Sequence, residues 1–281
     1  MNEREIQSRL RKVWGATAFP FGSVKEIGFE SKSQKEVIEH WQRWIEMGMS
    51  GILSGLHGTG KTFALEKVRS SLSEKLYQVI GFTHTSLSAS DLLSTLCQKV
   101  GVPHSSRRGQ TARLLIEQWK RSGKKPVLLI DEAQNLSATS LEELRLLICS
   151  RAMDEPTREG LVLCLCGDGE LLPKLRLSVN APLLSRMGYQ MTLEPLEEKE
   201  VEDYLQMHFE QVGLKTLPLE AQGLTLIYQA TDACPRKINQ LMQHAIILML
   251  QESENKISLD HLQKSVGKVP SIRPSKIKEL H

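Results

Sequence analysis

The sequence predicts an α/β protein: a parallel five-stranded sheet flanked by helices, with a small all-α domain after it. Three observations predict this. Short, wholly apolar runs recur between helically spaced segments; a glycine-rich turn joins the first run to the helix after it; and beyond residue 195 only helical patterns remain. Apolar runs without polar alternation are typical of parallel strands buried on both faces, and their alternation with helices is the pattern of a βαβ series.

Residues 1–12 read as a short charged helix, and Phe19-Pro20-Phe21 with Gly22 as an extended, anchored turn. Val37, Ile38, Trp41, Trp44 and Ile45 carry helical spacing through 34–47. A strand at 51–54 is followed by a helix at 61–76, with Ala64, Leu65, Val68, Leu72 and Leu76 on one face. Strand 77–83 leads to helices 87–100 and 111–121, separated by a loop rich in Pro, Gly and Arg. Strand 127–130, helix 141–151, strand 161–166 and strand 189–193 complete the sheet. Helices are expected at 197–212, 218–230, 235–251 and from Ser258. The expected organisation is an N-terminal segment (1–48) packing on the core, the sheet domain (49–194), a helical domain (195–267) and a flexible basic tail (268–281). The tail carries Lys268, Arg273, Lys276 and Lys278.

The composition is that of an ordinary soluble chain, 281 residues with 40% hydrophobic and 25% charged. Aromatics are only 5%, so aliphatic side chains must dominate the core. The longest apolar runs, 127–130, 161–166 and 245–250, fall well short of the ~20 residues that span a bilayer. With a charged start lacking an apolar h-region, this suggests a cytoplasmic protein with no membrane partner. The five cysteines show no framework spacing; Cys164 and Cys166 alternate within an apolar run and belong on one strand face, as core residues, with a metal or redox pair as the alternative. A formal net charge of +3 is too small to specify a nucleic-acid partner by itself.

Gly55-Leu56-His57-Gly58-Thr59-Gly60-Lys61-Thr62 matches the phosphate-binding pattern G-x-x-x-x-G-K-[ST] in full. Glycines let backbone N–H groups curl around phosphates, and the helix starting near Lys61 adds its positive end. In this pattern Lys61 reaches the β- and γ-phosphates of ATP, and Thr62 ligates Mg²⁺. Phe63 follows within the binding segment, and His57 stands at a variable position with no assigned role. Val127-Leu-Leu-Ile-Asp131-Glu132-Ala-Gln134 then places two carboxylates at the C-terminal end of an apolar strand, where ligands sit in open α/β sheets. Asp131 is the candidate for the Mg²⁺ shell and Glu132 for the general base that polarises the attacking water.

These residues resemble AAA+ ATPases, a P-loop NTPase family, and more specifically the transposition-helper and ExeA-like branch that includes MuB, TniB and TnsC. The resemblance runs from about Phe19 to Val266. It rests on Phe19-Pro-Phe21, 55–62, 127–134 with Leu136, 161–171, 183–195 and Cys234-Pro-Arg-Lys-Ile-Asn-Gln-Leu241. It implies a helical lid after the sheet domain. It places Asp168 at the sensor-1 position, where relatives often carry Asn, Thr or Gln; a plain turn and helix cap is the alternative. Arg186 matches the arginine-finger block, with Arg176 as second choice and a surface salt bridge as the alternative. Arg236 matches sensor 2, though Pro-Arg also suits an ordinary helix start. A finger acting in trans implies self-assembly into a ring or helical filament.

The resemblance also implies contacts to double-stranded DNA from Thr83, Thr85, Arg107, Arg108 and Arg113; a solvated basic loop is the alternative reading. The implied activity is that of an ATP-dependent, sequence-nonspecific DNA-binding regulator of transposition. It would assemble on target DNA and recruit a transposase. The alternatives are a secretion-associated ATPase of the ExeA type, whose usual membrane segment and cell-wall domain do not fit within this chain, and a nucleotide-dependent scaffold switch with little hydrolysis.

Overall fold

The computed structural model describes residues 1–22, 28–83, 88–105, 107–152 and 161–272, with only the backbone given at 149–152. In chain order the elements are α1 (Glu3–Trp14), α2 (Lys32–Glu46), β1 (Ser50–Gly55), α3 (Lys61–Ser71), β2 (Tyr77–Phe82), α4 (Ala89–Val100) and α5 (Arg108–Ser122). There follow β3 (Lys125–Ile130), α6 (Ala138–Ala152), β4 (Val162–Cys166), α7 (Leu171–Leu175), α8 (Ala181–Leu184), β5 (Met187–Leu193), α9 (Glu198–Glu210), α10 (Gly223–Thr231), α11 (Pro235–Gln251) and α12 (Leu259–Val266). Short 3₁₀ turns at Ala133–Asn135 and Ser178–Asn180 precede α6 and α8. The chain forms two compact units: Gln34–Glu194, and Met1–Ser33 together with the chain from Pro195 on. Residues 1–33 thus cluster with the C-terminal helices, while most of α2 belongs to the sheet unit.

The sheet unit has the expected five-stranded parallel sheet, in the order β2-β3-β4-β1-β5. Successive side chains of a strand point to opposite faces. Along β3, Val127 and Leu129 enter one core layer, while Leu128 and Ile130 enter the other. Both layers are buried, so the five positions of β3 after Lys125 favour apolar residues. One layer is covered by Val37, Trp41 and Ile45 of α2 and Ala64, Leu65 and Val68 of α3. The other is covered by α4, α5 and α6, through residues such as Leu93, Leu115, Trp119 and Leu144. Cys164 and Cys166 share a face, as expected, and are buried free thiols; burial pushes both well above the usual thiol range.

In the second unit, α11 buries Ile238, Leu241, Met242, Ala245, Ile246, Met249 and Leu250 along one helical stripe. α12 opens with a capping box in which Ser258 Oγ accepts from His261 N and His261 Nδ1 accepts from Ser258 N. Phe21 stacks on His208 with ring centroids 4.3 Å apart and meets Phe209 edge-on. The Phe19–Phe21 turn is anchored, but Phe21 is left-handed (φ 59°) instead of extended, and Gln243 Nε2 donates to its carbonyl. Among the described residues, no helix is long and apolar enough to cross a membrane.

Candidate functional site

The loops after β1, β3 and β4 emerge side by side, because these strands are neighbours in the order β3-β4-β1. The parallel pairing continues past the strand ends: Asp131 N donates to Phe82 O and Gly167 N donates to Leu53 O, each at 2.9 Å. The carboxyl end of the sheet therefore collects every loop that carries a candidate residue of this unit's nucleotide motif.

The loop after β1 folds as its glycines require. Gly58 (φ 87°) and Gly60 (φ 99°) occupy the left-handed region, and a Cβ on Gly55 would lie 2.8 Å from the Leu193 carbonyl of β5. Thr59 is buried and its hydroxyl donates to Leu56 O at 2.9 Å, closing the turn. Gln34 of α2, also buried, donates from Nε2 to Thr59 O at 3.3 Å, so the loop is held from the helix beneath it. No side chain caps α3, which leaves the amides of its first turn facing the loop without a side-chain acceptor.

Lys61 is only 5% exposed, and its Nζ donates to Gly55 O and Leu56 O at 2.9 Å each. Among the described residues it forms no ion pair. A buried ammonium solvated by two main-chain carbonyls is an incomplete cation site, suited to an anion. Thr62 Oγ1 donates to Asp131 Oδ2 at 2.5 Å, and Asp131 Oδ1 accepts from Glu132 N at 2.9 Å. A hydroxyl and a carboxylate in contact at the mouth of an anion cradle are the hard oxygen donors that Mg²⁺ takes alongside nucleotide phosphates. The donor set thus fits both groups expected from the sequence.

Glu132 sits in the left-handed region (φ 51°), an uncommon conformation for a non-glycine residue and one concentrated at functional sites. Its Oε2 accepts from Gln134 Nε2 at 2.6 Å. Asp168 follows β4; its Oδ1 accepts from Glu170 N at 2.9 Å, as in a turn cap, and its Oδ2 lies 2.9 Å from His57 Nε2. Asp168 thereby acquires a partner in the phosphate loop, through a residue to which the sequence assigned no role. Gln34, Gln134 and Lys174, whose Nζ donates to Gln134 O at 2.6 Å, are the site neighbours that sequence reasoning missed. Only Gln134 left a trace, as part of the Asp131-Glu132-Ala-Gln134 string.

The remaining candidates stand on other elements. Arg186 is exposed and donates from Nη1 to Pro182 O at 2.9 Å; among the described residues no carboxylate pairs with it. Arg176 is exposed at the end of α7. Arg236 is exposed in the first turn of α11, in the other unit. Thr83 is exposed just past β2, and Thr85 lies outside the described residues. The basic loop is shorter than the sequence suggested: Arg107 is the N-cap of α5 and Arg108 is its first residue, where helix 111–121 was expected. Arg108 pairs with Glu143 of α6 at 3.2 Å. Arg108, Arg113 and Lys120 line an open groove of about 500 Å³ between α5 and α6, with Leu146 at its apolar side.

The fold and this site define a P-loop protein of the AAA+ fold. Residues 45–175 match the family described as AAA domain. The general secretion pathway protein A of Aeromonas hydrophila is 25% identical over 253 residues, covering 87% of this chain and 45% of that protein. This chain thus spans less than half the length of that relative. Among solved structures, Cdc6p of Pyrobaculum aerophilum matches with a TM-score of 0.64 at 18% identity, covering 89% of this chain and 70% of that one. The ORC1 protein of Aeropyrum pernix in complex with DNA matches with a TM-score of 0.58 at 14% identity, over 84% and 65% of the two chains. At these identities the two structures show the shared fold.

Proposed function

We propose that this protein binds ATP with Mg²⁺ at the loop after β1, hydrolyses it, and uses the cycle to control its assembly on double-stranded DNA, where it serves a transposase. The observation that carries the reading is the buried Lys61 ammonium, held by its own loop's carbonyls beside the Thr62–Asp131 pair. Phosphate oxygens would complete the Lys61 shell, and the first-turn amides of α3 would bind them further. Thr62 and Asp131 would hold Mg²⁺, which when bound offsets charge on the phosphates. Glu132 would take the proton from the attacking water. Arg186, exposed and without a carboxylate partner among the described residues, is free to reach a nucleotide on a neighbouring copy, in a ring or filament. Arg236 would sense the nucleotide from the helical unit, as a lid residue. Arg107, Arg108 and Arg113 supply the exposed charge for backbone contacts to DNA, and the DNA-bound state of the structurally similar ORC1 protein supports that part of the reading.

A second reading, a secretion-associated ATPase, is favoured by the match over 87% of this chain to the Aeromonas hydrophila protein. One experiment tests both: hydrolysis and assembly of the purified protein with MgATP, with and without duplex DNA at low salt. Hydrolysis stimulated by DNA, with rings or filaments on it, supports the first. Hydrolysis indifferent to DNA supports the second. No magnesium-dependent nucleotide uptake in calorimetry removes both.

A further inference from the structure

Gln134 is tied at three points to the residues around the acidic strand end. Its Nε2 donates to Glu132 Oε2 at 2.6 Å, its Oε1 faces Asp168 N at 3.4 Å, and its main-chain carbonyl accepts from Lys174 Nζ at 2.6 Å. The amide orientation is dictated by its neighbours. A carboxylate only accepts and a main-chain N–H only donates, so the NH₂ must face Glu132 and the oxygen must face Asp168. Gly167 makes room for this arrangement: a Cβ there would lie 2.6 Å from Gln134 Oε1 and 2.9 Å from Leu171 Cδ2. Beyond Asp168 the contacts continue to His57 of the phosphate loop at 2.9 Å. Glu132 itself has a left-handed backbone and is carried on a turn instead of a strand.

We propose that Gln134 is a positioning residue: it fixes the Glu132 carboxylate and ties it, through Asp168 and His57, to the loop that would hold the phosphates. The proposal rests on the reading of Glu132 as the general base. A base must be held within hydrogen-bond reach of the water it activates, and an unrestrained carboxylate on a turn samples many rotamers. Gln134 restrains it with a charge-assisted bond, while Lys174 and the Gly167 gap restrain Gln134 in turn.

The test compares Gln134→Leu, Gly167→Ala, Glu132→Gln and the double variant Glu132→Gln/Gln134→Leu in the full chain. The readouts are MgATP affinity by calorimetry and steady-state and single-turnover hydrolysis. The expected result is a kcat lowered on the order of tenfold to a hundredfold in Gln134→Leu, the range for one hydrogen bond to a charged group. KM and nucleotide affinity should stay within about twofold, as for an interaction that matters only in the transition state. Gly167→Ala, which displaces the Gln134 amide without altering it, should lower kcat in the same direction. In the Glu132→Gln background, removal of Gln134 should cause no further loss. A parental kcat in Gln134→Leu, or an equal loss with and without Glu132, overturns the proposal. Should Gln134→Leu fail to fold, a parental kcat in Gly167→Ala overturns it. A parental rate in Glu132→Gln instead overturns the assignment of the base itself, which separates the two failures.

Discussion

The Thr62 hydroxyl donates to the Asp131 carboxylate at 2.5 Å, joining the first turn of α3 to the end of β3 across 69 residues of sequence. Such a short O–H···O⁻ contact marks a charge-assisted bond. It also aims two hard oxygens at one point, where a divalent cation would take both. Thr62→Ala is expected to weaken MgATP binding about tenfold while leaving binding of ATP in EDTA little changed, and Thr62→Ser should restore the parental behaviour. Titration calorimetry with and without Mg²⁺ checks this. Equal losses in both conditions would mean that Thr62 acts on the loop and not on a metal.

Lys61 gives a prediction in which stability and binding move apart. Its ammonium is buried and bonded to two carbonyls, with no ion pair among the described residues. Desolvating such a charge costs more than two neutral acceptors return, so removing it should not harm the empty protein. Lys61→Met keeps the stem and drops the charge. Its stability without nucleotide is expected to be unchanged or higher by about 1 kcal/mol in urea denaturation, while MgATP affinity falls at least about a hundredfold. A clearly destabilised Lys61→Met protein would show that the two carbonyls suffice for the charge.

His208 predicts the response of stability to acid. Burial against Phe21 and Tyr204 pushes its pKa down from 6.5 to about 4. In the unfolded chain the imidazole takes up a proton from about pH 6.5 downward, whereas in the folded chain it resists until about pH 4. The unfolded state therefore binds more protons across that window, and stability falls as pH falls through it. The full loss is on the order of 3 kcal/mol, from ~1.4 kcal/mol per pKa unit. His208→Phe should flatten the dependence of the denaturation midpoint between pH 6.5 and 4; an unchanged slope would assign it to other groups.

Much of this architecture was legible because it is encoded locally. The β3 and β4 runs are apolar on both faces, and the loop from Gly55 to Thr62 is contiguous, so neither needs the fold to be recognised. What was missed depends on distant pairing or on elements too short to show a period. Gln34 meets Thr59 from 25 residues away, Gln134 meets Asp168 from 34, and Lys174 meets Gln134 from 40. α7 and α8, of 5 and 4 residues, complete hardly more than one helical turn. The start of α5 was placed late because Arg107 gives no side-chain cap and Gly109 is a poor helix former. Tertiary contact supplies what local preference lacks there, through the Arg108–Glu143 pair.

The buried cysteines predict chemical inertness. Cys97, Cys164, Cys166 and Cys234 are all buried free thiols, and burial raises the first three above the ordinary thiol range. Thiolate is the reactive form, so none of the four should react with a thiol reagent at neutral pH before the protein opens. Of the five cysteines in the sequence, no more than one should therefore be titrated rapidly in the native protein. Mass spectrometry after a short exposure to a thiol reagent counts them, and two or more rapid modifications would contradict the burial of these thiols.

Arg107, Arg108 and Arg113 are expected to contribute unequally to duplex binding. All three are exposed, but Arg108 is engaged by Glu143, whose side chain is only 9% exposed. A phosphate would have to compete with that carboxylate for Arg108, whereas the structure records no ion pair for Arg107 or Arg113 among the described residues. Arg107→Ala and Arg113→Ala should each weaken binding of a fluorescent duplex in the presence of ATP. Each should also reduce the slope of log affinity against log salt by about 0.9, the value for one lost phosphate contact. Arg108→Ala should do less, and Glu143→Gln should tighten binding by releasing Arg108. Anisotropy titrations across a salt series read all four variants. If Arg108→Ala weakens binding most and Glu143→Gln changes nothing, the Glu143 pair is an incidental surface contact, and the groove between α5 and α6 is where the duplex backbone lies.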